Sequence, residues 1–171
     1  MGGAVLMITI TDRSRCGEFA AWYQEQGIPL VLTALGSGTA TTEILDCLGL
    51  EATEKAVLFC VAPHSPQLVR RAEKALWLDV PGRGILMTVP VSSIGGAAAR
   101  DYLLQQEAEK AMEKEITHEL LVVITNQGHT DMVMDAARAA GATGGTAVHA
   151  KAKPSSATRL FVFISSPSQA Q

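Results

Sequence analysis

The sequence predicts an α+β fold built from ferredoxin-like βαββαβ units with antiparallel sheets, a tandem repeat whose second copy is incomplete. Three observations lead there. Through residue 91, β-branched runs and amphipathic helical patterns alternate in the order β-α-β-β-α-β. Residues 119–152 slide back onto the start of the chain by 114 positions without a gap. At 47% hydrophobic and 18% charged over 171 residues, the chain carries enough apolar surface for a core.

Residues 5–11, VLMITIT, form a β-branched run too short for a helix, followed by the turn chemistry of Asp12, Arg13 and Ser14. Cys16, Phe19, Ala20 and Tyr23 then recur at helical spacing, and Gly27 stands where a helix commonly ends. A second strand at 29–34 closes on Gly36, Ser37 and Gly38. The threonine-rich stretch 39–55 has few apolar anchors, and its portion 39–54 is expected to be the most mobile internal segment. A third strand covers 56–62. Ser65 and Pro66 supply a cap and a first-turn proline for a helix with Leu68, Val69, Ala72 and Leu76 on one face. Residues 81–84 turn the chain into a last strand at 85–91. A sheet of this order carries both helices on one face, so the other face predicts an oligomer.

Residues 97–116 read as a connecting helix, rich in Ala, Glu, Gln and Lys. Beyond it the pattern restarts: Leu120 falls on Leu6, Ile124 on Ile10, Thr125 on Thr11, Asn126 on Asp12 and Gly141 on Gly27. A loop at 152–157 leads to a strand at 158–165, where Leu160 and Phe161 echo Leu58 and Phe59. No second helix or fourth strand follows. The domain reading is therefore a first unit at 1–96, a connector at 97–117 and a truncated second unit at 118–171.

A net charge of −3 argues against a nucleic-acid surface. The apolar runs are far shorter than the roughly 20 residues of a membrane-spanning helix, and the start lacks signal-peptide features, so a cytoplasmic location is expected. Cys16, Cys47 and Cys60 show no CxxC spacing and read as reduced packing residues. No nucleophile-base pair, P-loop or HExxH is present, and His64, His118, His129 and His149 share no ligand spacing; neither catalysis nor a metal site is expected.

The glycine turns carry the candidate chemistry. Gly36, Ser37, Gly38 and Thr39; Gly82, Arg83 and Gly84; Gly95 and Gly96; and the stretch 142–146 with Gly144, Gly145 and Thr146 each read either as plain turns or as nests of N–H groups for an anion. In the second copy His149 and Lys151 suit an anionic ligand or another subunit.

The segment 120–153, LLVVITNQGHTDMVMDAARAAGATGGTAVHAKAK, resembles the opening β-α-β of PII nitrogen regulatory proteins, particularly their tandem relatives. Gly82, Arg83 and Gly84 through Val89, Pro90 and Val91 look like that family's phosphate-holding turn and following strand; Gly36, Ser37 and Gly38, with Thr42 and Glu43 beyond, look like the start of its effector loop. Ile85 stands where the family usually has a lysine, Thr39 where an arginine is common, and no tyrosine lies between Tyr23 and Tyr102. The resemblance implies a non-catalytic signal-transduction protein in the regulation of nitrogen utilisation. Such a protein is a trimer that binds a small anionic effector, with ATP, ADP or another nucleotide as candidates, between subunits and modulates a transporter or enzyme. The alternative is a ligand-blind assembly module of the same fold.

Overall fold

A computed structural model describes residues 3–37, 54–104, 118–142, 145–153 and 158–167. The chain is α+β and divides into two compact units, Met1–Met112 and Glu113–Gln171. The first contains β1 (Ala4–Asp12), a 3-10 turn (Arg13–Arg15), α1 (Cys16–Glu25), β2 (Val31–Ser37), β3 (Glu54–Pro63), α2 (Pro66–Ala75), β4 (Ile85–Val91) and α3 (Ala97–Leu104). Its strands are antiparallel in the order β2-β3-β1-β4, compatible with a ferredoxin-like unit. Pro90 is tolerated because β4 is an edge strand, where a missing N–H breaks no ladder.

Alternation along the strands decides what the helices cover. Val5 and Met7 of β1, and Ala56, Leu58, Cys60 and Ala62 of β3, pack with Phe19, Ala20 and Tyr23 of α1 and Leu68 and Ala72 of α2 in one core. Thr9 shares that face and meets the Tyr23 hydroxyl at 2.6 Å, so two buried polar groups satisfy each other. The opposite face is apolar too: Leu6, Ile8 and Ile10 of β1 lie across from Val89, Met87 and Ile85 of β4. Toward β4 this face opens, with Met87 43% and Val89 40% exposed.

Helix ends follow local chemistry. The Ser65 hydroxyl accepts from the Leu68 N–H at 3.2 Å ahead of Pro66 at the first helical position, as the sequence predicts. α1 closes through Gly27 (φ 81°), with the Gly27 N–H on the Gln24 carbonyl and the Ile28 N–H on the Tyr23 carbonyl. α2 closes the same way, Leu78 N–H to the Glu73 carbonyl at 2.9 Å, but its left-handed residue is Trp77 (φ 56°). For a residue with a side chain that conformation costs about 1–2 kcal/mol.

In the second unit β5 (His118–Asn126), α4 (Thr130–Ala139), β6 (Gly145–Lys153) and β7 (Thr158–Pro167) give strands in the order β6-β7-β5, all antiparallel. Val123, Val133, Met134 and Ala137 pack into this unit's own apolar cluster. Gly141 (φ 92°) closes α4, with the Ala142 N–H on the Ala137 carbonyl at 2.9 Å.

Three expectations change. Lys55 is not loop but the second residue of β3, almost fully buried beside Asp12 of β1, because the ladder places the two opposite one another. Ala152 and Lys153 extend β6 rather than opening a loop. β2 runs Val31–Ser37 rather than 29–34, so that Gly36 and Ser37 enter the ladder opposite Lys55 and Glu54. Of the connector predicted at 97–117, Ala97–Leu104 is helix and 105–117 lie outside the described residues, as does most of the predicted mobile segment, 39–53. Among the described residues no helix is long and apolar enough to cross a membrane.

Burial sets a pH dependence. It pushes the Cys60 thiol from 9.0 up to about 12. The Tyr23 phenol also rises above 10.0, chiefly by burial, with the Thr9 hydrogen bond opposing and Cys60 adding. Both groups are neutral when folded and ionise more readily when unfolded, so their contribution is complete below pH 9.0 and is lost as pH rises through the folded values. The urea midpoint should fall from about pH 9 upward, and in Cys60→Ala the fall should begin nearer pH 10. A midpoint flat to about pH 11 would contradict this.

Candidate functional site

The strand directions bring Gly36 and Ser37 and the 82–84 turn to one end of the first unit's sheet. There β1 finishes at Thr11 and Asp12, β2 at Gly36 and Ser37, β3 begins at Glu54 and Lys55, and the turn 82–84 feeds β4 at Ile85. Gly36 and Ser37 pair with Lys55 and Glu54. Gly38 and Thr39 lie outside the described residues. Gly36 and Ser37 are strand residues of β2 rather than the turn the sequence predicts, because the ladder pairs them with β3; β2 and β4 are the outermost strands of this unit, and three inter-strand spacings put Gly36 and Ser37 about 14 Å from the 82–84 turn.

The 82–84 turn is held from within. Pro81 followed by Gly82 (φ 84°), with the Arg83 N–H on the Val80 carbonyl at 3.2 Å, has the make-up of a type II turn. The Arg83 carbonyl accepts from the Thr11 hydroxyl at 2.9 Å and from Arg15 Nη1 at 2.8 Å. Arg15 Nη2 also donates to the Leu76 carbonyl at 3.3 Å, so one guanidinium ties both ends of the 76–83 loop together. That guanidinium lies 4.9 Å from the Phe19 ring centroid and is held bidentately by Glu18 at 3.0 and 3.1 Å. With the Arg83 N–H already engaged, the N–H groups of Gly82 and Gly84 are the ones left to meet an anion.

The cations at this end are mostly committed. Arg13 pairs with Glu54, Lys55 with Asp12 and Arg15 with Glu18. The exposed Arg83 guanidinium has no partner among the described residues, which makes it the group best placed for an incoming negative charge. Arg15 and Lys55 escape a reading of motifs, since their partners stand up to 68 residues away. The available signal is weak: cations flanking strand ends, and Glu18 three residues after Arg15.

The second unit does not gather its candidates. Gly145 and Thr146 open β6 while Lys151 stands near its far end, about 17 Å from Thr146 along an extended strand. Gly144 lies outside the described residues. His149 and Lys151 share one exposed face of β6, the face of Gly145, and Thr146 is on the other. Thr146 therefore cannot join them around one small anion.

At the opposite end of the first sheet Leu104 is buried and the Tyr102 hydroxyl donates to the Pro29 carbonyl at 3.0 Å. A cavity of about 130 Å³ there is lined by Gly27, Ile28, Pro29, Val61, Leu68 and Leu104, with no charged group, and so does not suit an anion. Among the described residues no cluster of His, Cys, Asp or Glu is arranged to hold a metal ion. No family model, curated protein or solved structure matches this chain.

Gly84 is required by the fold itself. At φ 147° an added Cβ would lie 2.8 Å from the Ile10 carbonyl oxygen and 3.3 Å from Leu78 and Thr11 side-chain carbons. Gly84→Ala should destabilise the chain by about 1–3 kcal/mol in urea denaturation, without any ligand. Gly95→Ala, where nothing lies within 4 Å, should change it by less than about 0.5 kcal/mol.

Proposed function

We propose that this chain is a PII-like signal-transduction protein, a tandem of ferredoxin-like units. It binds a small anionic effector and modulates a protein target, and it acts by binding rather than by catalysis. The repeat is supported by element bounds: β5, α4 and β6 begin 114 residues after β1, α1 and β2, and Gly27 and Gly141 close equivalent helices. The sheet order β6-β7-β5 also repeats β2-β3-β1.

The observation that supports the effector reading is the placement of the 82–84 turn and of Gly36 and Ser37, the last residues of β2, at one end of the sheet on opposite outer strands. One copy cannot close them around a small ligand. Copies joined through the open β1–β4 face bring the 82–84 turn of one beside the end of β2 of another, and a homotrimer closes such a ring. Arg83 and the N–H groups of Gly82 and Gly84 then meet the effector's negative charge. ATP and ADP are the first candidates. Nitrogen regulation, a transporter or enzyme target and a cytoplasmic setting follow from the family resemblance.

The internal demand for Gly84 and the pairing of Arg13, Arg15 and Lys55 favour a second reading, an assembly module of the same fold that binds no effector.

Titration calorimetry with ATP, ADP and other anionic metabolites separates the two. Binding is expected, weakened about 10- to 100-fold in Arg83→Ala, the scale of one charge-assisted hydrogen bond. That variant should keep its stability, because the Arg83 side chain is exposed without a partner among the described residues. Absence of binding by every anion would leave the assembly module. Binding indifferent to Arg83→Ala would move the site away from this turn.

A further inference from the structure

Trp77 occupies a position that suits glycine. α1 and α4 end with Gly27 and Gly141 in the left-handed conformation; α2 ends with the same hydrogen-bond pattern around a tryptophan. The residue is 60% exposed, so most of its surface contributes no packing against the conformational cost. A conformational outlier maintained with little internal packing points outward, to something the ring contacts.

Its surroundings say what. On α2 the core side is Leu68, Ala72 and Leu76; Arg70 and Lys74 fall on the arc opposite, and Arg71 on its flank. All three are exposed and have no partner among the described residues. Glu73, four residues before Trp77, and Asp79 are the acids of this segment, which keeps one net positive charge in a chain of net charge −3. Val80, 40% exposed, adds apolar surface. The loop is rigid: the Val80 N–H reaches the Trp77 carbonyl at 3.1 Å, and Arg15 holds the Leu76 and Arg83 carbonyls. A pre-ordered aromatic beside arginines is the composition of an interface anchor, because little entropy remains to be lost on binding.

We propose that Trp77 and Val80, with Arg70, Arg71 and Lys74, form a docking surface for an acidic segment of a partner protein. Apolar side chains of that segment cover the ring and its carboxylates meet the three cations. The choice of partner rests on charge complementarity, and the surface works without the effector turn.

The test uses a phage-displayed library of random peptides selected on the immobilised full chain, with the enriched peptides then titrated in solution. Expected are sequences combining Asp or Glu with Leu, Ile or Phe, whose affinity falls with salt and drops at least about 10-fold in Trp77→Gly and in the double variant Arg71→Glu/Lys74→Glu. Trp77→Gly should also unfold at the same urea concentration or higher, since glycine suits the left-handed position. The proposal is overturned if no acidic peptide is enriched, if the peptides bind Trp77→Gly as tightly as the unaltered chain, or if Trp77→Gly unfolds more readily. It is also overturned if vesicles rich in phosphatidylserine, and no peptide, bind in a Trp77-dependent manner, which would make the partner a membrane surface.

Discussion

The first unit is governed by a sheet that is apolar on both faces but carries its core helices on one. β1 reads AVLMITITD and β3 EKAVLFCVAP, so neither strand alternates cleanly between apolar and polar residues. α1 and α2 use one set of alternate positions for the core; the other set is also apolar, buried at Leu6, Leu32, Ala34 and Phe59 and open to water at Met87 and Val89, across from Ile8 and Leu6. Burying apolar area is worth about 25 cal/mol per Å², so a face of this kind favours association over exposure to water. The proposed oligomer, and with it a site assembled from two copies, rests on that one-sided arrangement.

The loop end of the sheet shows how backbone and charge divide their tasks. Arg15 acts as an internal clamp: a cation that looks available in the sequence spends its donors on Glu18 and on two carbonyls, and its flat face on Phe19. Thr11 reinforces the same clamp from the sheet. What remains for a ligand is the outer side of the turn and the Arg83 side chain. The same clamp holds both ends of the loop that carries Trp77.

Much of this was legible in the sequence, because it is local. β-branched runs, the Ser65–Pro66 start and the glycines at 27 and 141 each act within a few residues, and the elements lie where those signals put them. The remainder depends on distant partners. Lys55 reads as loop because Asp12, which fixes it in a strand, is 43 residues away. Gly84 reads as a ligand-facing glycine, whereas its strictest neighbour is the Ile10 carbonyl. Thr146, His149 and Lys151 look like parts of one motif in a string of letters, and an extended strand spreads them apart. Trp77 leaves no trace in periodicity, since the sequence alone does not say that its φ is positive.

The central claim is that the open β1–β4 face is buried against further copies of the chain. Sedimentation velocity of the full chain at micromolar concentration tests it most directly. With a chain mass of 18.0 kDa, the expected result is one species of about 54 kDa for a trimer, shifted toward the chain mass by Met87→Asp on the open face. A single 18.0 kDa species across that range, unchanged by Met87→Asp, would contradict the account.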